Sequence, residues 1–306
     1  SDLFKWKEGE PRSGDFNLLT THPDKAYNRN VITYDIFKNA GSPYHYVVPV
    51  RVQTNGGFFS IAHIVENGDE DYLSRNKLDP NGALYKMYST YPAIDGAEKK
   101  SRQWEPGTSD LTAHAAGLAK TGNDKLAYVY DNVNLPELVS YLASMTMSGN
   151  TDCCHKNYYL YRDSDDTGEW SMLPWDVDLS IGRIWRGDKT YWDEILDPTS
   201  PLRIGGGNAM ADVVFSIPKH DPMYLRRLRT LMDSHLMSSN TPPHLQYWEH
   251  MVDDIRAPMY EAAALDLAKW GTFGQGSEFS SCCVQTLQQA TDEEKYKYFP
   301  ERRDVL

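Results

Sequence analysis

TDCCHKNYYLYRDSDDTGEWSMLPWDVDLSIG, residues 151–182, reads as a polar loop, a strand at Asn157–Tyr161, a tight turn at Arg162–Glu169 and a second strand at Trp170–Trp175. Turn-forming Asp163, Ser164, Asp165, Asp166 and Gly168 between two aromatic-rich runs predict a hairpin. Antiparallel pairing brings Asp152 and Asn157, before the first strand, to the same open end as Asp176 and Asp178, after the second. Carboxylate and amide oxygens distant in sequence then converge. They are the hard donors that a divalent cation and a phosphate site need.

The surroundings narrow the choice. A chain of 306 residues, 40% hydrophobic and 12% aromatic, can bury a substantial core in one large domain or two. Its formal net charge of −12 argues against nucleic acid as a partner, since phosphate binding needs clustered Lys and Arg. No apolar run approaches the roughly 20 residues of a membrane span. No signal peptide opens the sequence, which starts mid-pattern at Ser1, as an excised fragment or mature form would. Four cysteines stand in two adjacent pairs, Cys153-Cys154 and Cys282-Cys283, with no C-x-x-C. If the protein is exported, one disulfide between the pairs would tie the C-terminal segment to the central loop. The alternative is four reduced, buried thiols.

Upstream, Phe16–Leu19 is a short strand. A helix follows, with Asp24 as N-cap, apolar Val31, Tyr34 and Phe37, and Gly41 as the closing glycine. Residues 44–53 and 58–66 are strands joined at Asn55-Gly56. Asp69–Asn76 is a short helix and 83–88 a strand; 91–123 reads as surface loop with short helices. Leu135–Met147 is an amphipathic helix that delivers the chain into Asp152. After an irregular 183–211, helices are expected at 224–236, 244–254, 259–270 and 293–306. The class is α+β with segregated elements: a strand-rich part (1–130), then the hairpin and a helical part (131–306).

The spacing Asp152-x4-Asn157 equals that of the protein-kinase catalytic loop, where the Asp orients the substrate hydroxyl and the Asn holds a metal ion. Asp176 lies 24 residues after Asp152, behind a strand, as a second metal-holding Asp would. The H-R that precedes the kinase Asp is absent, and Asp176-Val177-Asp178 stands where kinases have D-F-G. Loop residues that cap and turn share the bare spacing, so spacing alone does not decide.

The segment HKNYYLYRDSDDTGEWSMLPWDVDLSIG resembles the signature of the spore-coat protein H (CotH) kinase family: N-[FY]-x-L-Y, then G-x-W/F-x-x-x-P-W-D-x-D-x-x-x-G. FNLLTTHPDKAYNRNVITYDIFKNAG, NGGFFSIAHIVENGDEDYLSRNKLDPNGALYKM, MYLRRLRTLMD and YFPERRDVL resemble further family segments in the expected order, so the likeness covers nearly the whole chain. It implies an atypical protein-kinase-like fold, with strand-rich, central-hairpin and helical parts. It also implies a location that is extracellular or at the cell surface, and ATP- and Mg²⁺-dependent phosphoryl transfer to a Ser or Thr of a protein substrate. Carried over by position, Asp152 is the catalytic aspartate, Asn157 the catalytic-loop asparagine and Asp176 the metal-binding aspartate. Asp178 either adds a carboxylate to the metal or caps the next turn. Glu66 and Lys86 are candidates for the pair that grips the nucleotide's phosphates. Arg29 either serves the site or braces its helix. The family's first basic and glycine-containing strands lie upstream of Ser1. The alternative function is a catalytically inactive, kinase-like surface or structural module accompanying coat or carbohydrate-active machinery.

Other features stay structural. Asp163, Asp165 and Asp166 lack EF-hand spacing and read as a solvated turn. Gly205-Gly206-Gly207 lacks the Lys-Ser/Thr of a phosphate loop. Arg226, Arg227, Arg229, Arg302 and Arg303 read as helix-surface ion-pair formers.

Overall fold

The computed structural model describes residues 4–6, 8–9, 11–185, 191–193, 202–271 and 285–306. Strands β1 (Phe4–Lys5), β2 (Arg12–Ser13) and β3 (Phe16–Thr20) precede helix α1 (Arg29–Asn39). Then come β4 (Val47–Thr54), β5 (Gly57–Glu66), α2 (Glu70–Arg75), β6 (Ala83–Met87) and β7 (Glu98–Lys99). Helices α3 (Ser109–Leu118), α4 (Gly122–Asn132) and α5 (Leu135–Ser148) lead into the hairpin β8 (Tyr158–Arg162) and β9 (Trp170–Pro174). The rest holds β10 (Arg183–Trp185), β11 (Tyr191–Asp193), α6 (Ala209–Phe215), α7 (Asp221–Leu231), α8 (Tyr247–Arg256), α9 (Tyr260–Trp270), α10 (Leu287–Glu293) and α11 (Phe299–Val305).

Two antiparallel sheets carry the architecture, ordered β3-β5-β4 and β7-β6-β8-β9. The β4–β5 turn forms at Asn55 (φ 49°) and Gly56 (φ 81°), both left-handed as a type I′ turn requires. Asp69 caps α2 by accepting from the amides of Asp71 and Tyr72. Helix α5 has Asn134 as its cap, Pro136 in the first turn and left-handed Gly149 (φ 67°) at its end. Every residue from Leu138 to Ser148 is buried, so α5 is a core helix wrapped on all sides rather than a surface amphipath. Sheet and helix side chains form one core around it, including Phe37, Tyr85, Leu142, Met145, Leu160 and Met172. Each fully buried Leu or Met of this kind contributes about 1.5–3 kcal/mol.

Several local expectations change. Helix α1 starts at Arg29, not after Asp24, although the Asp24 carboxylate still accepts from the amides of Asn28 and Arg29. The stretch 91–123 contains α3, and α4 follows where no helix was expected. Arg302 and Arg303 are buried, not surface groups: they donate to the carbonyls of Thr146 and Leu236, and Arg303 also pairs with Glu249. Arg227 likewise donates to Ala40 O, while Arg229 makes the surface pair, 2.9 Å from Asp233. Cys153 and Cys154 are bonded to each other, so they are neither linked to the C-terminal pair nor reduced thiols, the two alternatives the sequence left open; Cys282 and Cys283 lie outside the described residues. Among the described residues no helix is long and apolar enough to cross a membrane.

Candidate active site

Asp152 owes its position to the end of α5. Gly149 turns the chain with its amide on Thr146 O, and Asn150 Oδ1 accepts from the Asp152 amide at 3.1 Å. The following cysteines are fixed from two sides. The Tyr141 hydroxyl lies 3.3 Å from Cys153 Sγ, and Asn208 Nδ2 donates to Cys154 O at 2.8 Å. The loop then closes on itself. Asp152 Oδ2 accepts from Asn157 Nδ2 at 2.7 Å and from Lys156 Nζ at 2.9 Å, and His155 Nε2 lies 3.5 Å from Oδ1. With Nδ2 turned to Asp152, the carbonyl end of Asn157 is left for another partner.

The hairpin register does what the sequence asks of it. Tyr158 pairs with Pro174, so Asn157 is level with Trp175, and Asp176 follows one residue on. Asn157 (φ 62°) and Asp176 (φ 55°) both hold left-handed backbone. Asn and Asp tolerate that region better than other non-glycine residues, and such strain concentrates at functional sites. Beyond Asp176, the loop is pinned to the scaffold. Arg29 Nε donates to Ser180 O at 3.1 Å, the Ser180 hydroxyl bonds Thr33 Oγ1 at 2.7 Å, and the Ile181 amide donates to Ser148 O at 2.7 Å. Arg29 also pairs with Asp24 (2.6 Å) and Glu294 (3.3 Å). It is therefore a buried brace joining α1, this loop and the C-terminal helices.

Electrostatics mark the cluster as short of positive charge. Burial raises the Asp176 carboxyl above its ordinary range; Lys156 opposes the rise and Asp152 adds to it. Asp178 is pushed up to about 8, by burial first and then by the charges of Asp176, Asp24 and Asp152. Neither the Asp176 nor the Asp178 carboxylate accepts a hydrogen bond from a described residue. Asp24 differs: burial alone would raise it, but Arg29 and backbone amides outweigh that and hold it below the usual carboxylate range.

Lys86 lies on the same sheet, opposite Tyr159 across β6–β8. Its Nζ is 5.0 Å from the Trp175 ring and 5.2 Å from the Tyr88 ring. Burial and Lys100 lower its pKa, against the pull of Glu98 and Asp176. Glu66 does not pair with it. Arg75 Nε donates to Glu66 Oε1 at 2.8 Å, its Nη2 to Oε2, and the Tyr46 amide also reaches Oε2. The Glu66–Lys86 pairing is therefore corrected: the helix α2 that follows β5 returns a guanidinium to that carboxylate first. Glu66 still touches the site through its backbone. His45, held neutral by burial and by Arg75 with a pKa of about 3, has Nδ1 3.0 Å from Glu66 O and Nε2 3.1 Å from Pro174 O, and its single N–H donates to one of these two carbonyls. It ties the three-stranded sheet to the hairpin.

Among the described residues no three His, Cys, Asp or Glu side chains converge to hold a metal ion by themselves. Asp176 and Asp178, close enough for the first to raise the second, would with the Asn157 carbonyl offer the hard oxygen donors of a Mg²⁺ site, which is commonly held by one or two carboxylates and completed by waters and substrate phosphates. Sequence reading missed Lys156 and His45. Lys156 had a signal, since it follows Asp152 by four positions and adjoins Asn157; His45 had none.

A family model described as "CotH kinase protein" matches residues 5–298. The inner spore coat protein H of Bacillus subtilis (strain 168) is 24% identical over 234 residues, covering 72% of this chain and 62% of that protein. The chain thus spans less than two thirds of the length of that relative.

Proposed function

Since the chain belongs to the CotH kinase protein family, we propose that it transfers the γ-phosphoryl group of ATP, with Mg²⁺, to a Ser or Thr hydroxyl of an exported or surface protein. The observation that carries this is the meeting of two segments: the Asp152–Asn157 loop, closed by hydrogen bonds of 2.7 and 2.9 Å, and the Asp176–Asp178 loop, whose carboxyls feel Asp152. Asp176, Asp178 and Asn157 would hold Mg²⁺, which when bound neutralises charge on the phosphates. Asp152 Oδ2 already takes two donors, so Oδ1 is the atom to receive the acceptor hydroxyl's proton. The new O–P bond forms as the bond to the β-phosphate oxygen breaks and ADP keeps its electron pair. Lys156, and Lys86 from the neighbouring strand, supply positive charge beside the transferred group. Positioning and charge neutralisation do most of the work in such a reaction.

A curated relative is named a spore coat protein, which fits a coat or surface location for the substrate. The second reading is a kinase-like surface or structural module without transfer, accompanying coat or carbohydrate-active machinery. One observation favours it: Glu66 is committed to Arg75, so Lys86 lacks the glutamate that kinases use to hold their nucleotide lysine. Nucleotide dependence separates the two. A thermal shift with ATP and Mg²⁺, lost in Asp176→Ala, supports transfer; no shift in the wild type supports the module.

A further inference from the structure

Three cations and no carboxylate line a pocket of about 420 Å³ where the C-terminal ends of α1 and α2 meet residues 41–46. In a chain of formal charge −12 this is a local inversion. Arg75 forms the floor, neutralised by Glu66 and flanked by the rings of Tyr44 and Tyr46, 4.5 and 4.0 Å from its guanidinium carbon. Lys38 and Lys77 stand exposed at the rim, and neither joins an ion pair among the described residues. Lys38 has Asp35 one turn back on α1 and Lys77 borders a neighbouring acidic pocket, but no carboxylate lines the basic pocket itself.

Helix capping does not explain the lysines. The last-turn carbonyls of Ile36, Phe37 and Lys38 are taken by the amides of Ala40, Ser42 and Gly41. Those of Tyr72, Leu73 and Ser74 are taken by the amides of Asn76, Leu78 and Lys77. Lys77 itself has left-handed backbone, φ 62°, just past α2, where glycine sits without strain. A lysine kept there at a conformational cost points to a use for its ammonium.

We propose that this pocket binds a phosphate monoester dianion. Two ammonium groups match its double charge and several acceptor oxygens better than a single carboxylate would, and the tyrosine rings give room for what the phosphate is attached to. Lys38 lies nine residues along α1 from Arg29, roughly 14 Å on the helix axis, so this site stands apart from the Asp152 cluster. It does not depend on the transfer reaction. Lys77 also borders a second pocket lined by Asp79, Asp163, Asp166 and Glu169, so Lys38 isolates the basic one.

The test is calorimetric titration of the full chain with three ligands: an otherwise uncharged phosphoserine peptide, its unphosphorylated twin and inorganic phosphate. The wild type binds the phosphopeptide and not the twin; Lys38→Gln weakens binding about tenfold, as expected for losing one charge-assisted contact, and K38Q/K77Q abolishes it. Asp176→Asn binds as the wild type does, which separates this site from the candidate active site. Phosphopeptide binding tighter than phosphate makes a phosphorylated side chain the ligand; equal binding makes it a small phosphate, and both support the pocket. The proposal is overturned if the wild type binds neither ligand, if K38Q and K38Q/K77Q bind unchanged, or if binding is lost in Asp176→Asn instead. Both lysines are exposed, and circular dichroism checks that the variants fold.

Discussion

Replacing Asp178 by Asn should stabilise the cation-free protein at alkaline pH while weakening its hold on magnesium. The gap between the ordinary 3.8 and about 8 corresponds, at about 1.36 kcal/mol per tenfold change in proton affinity, to roughly 5–6 kcal/mol for one isolated group. Asp178 shares its field with Asp176, Asp24 and Asp152, so neutralising it alone recovers only part, about 2 kcal/mol at pH 8. The sign follows from proton counting. Between pH 3.8 and about 8 the folded chain keeps a proton that the unfolded chain has released. Stability is thus complete below the lower value and falls as pH rises toward the upper one. Thermal unfolding followed by circular dichroism, with chelator present, measures this at pH 5 and pH 8. The variant should melt about 4 °C above the wild type at pH 8, with a smaller gain at pH 5. Millimolar Mg²⁺ at pH 8 should raise the wild type more than the variant. A variant that melts lower at pH 8, or gains equally at both pH values, would refute the reasoning.

Glu137 offers a parallel case away from the site: burial raises it to about 7, against the nearby Ser42 hydroxyl and the charge of Arg227. Glu137→Gln should add about 1–2 kcal/mol above pH 7 and little near pH 4.5, read by urea unfolding at both values. Arg29→Met leaves the buried Asp24 and Glu294 without their shared cation. It should cost about 3–5 kcal/mol, seen as a lower urea midpoint; an unchanged midpoint would remove Arg29 from the bracing role. Leu142→Ala empties part of the fully buried face of α5 and should cost about 2–5 kcal/mol in the same assay.

The parts of the fold that rest on local chemistry were legible in the sequence. Asn55-Gly56 dictates its turn through two left-handed residues, and the polar run 163–168 closes the hairpin whose register sets Asn157 beside Trp175. Helix α5 was legible from its periodicity, and Asn134, Pro136 and Gly149 bound it. What was not legible depends on distance. Arg29 meets Glu294, and Arg303 meets Glu249, across hundreds or tens of residues, so the basic residues of the C-terminal helix were expected at the surface. The candidate site divides the same way. Asp152 and Asn157 are joined within one loop, whereas Glu66 takes Arg75, nine residues on, because α2 folds back against the end of β5, an angle of return that the residue pattern of a short helix does not specify.

The central claim is that the Asp152–Asn157 loop and Asp176 form a metal-dependent phosphoryl-transfer site. Incubation with γ-labelled ATP and Mg²⁺, with a Ser/Thr-containing acceptor protein and with casein as a general acceptor, tests it directly beside Asp152→Ala and Asp176→Ala. The account predicts label on hydroxyl side chains with the wild type, none with either variant, and loss of the signal in chelator. Equal incorporation by wild type and Asp176→Ala, or no incorporation together with no ATP-dependent thermal shift in the wild type, would contradict it.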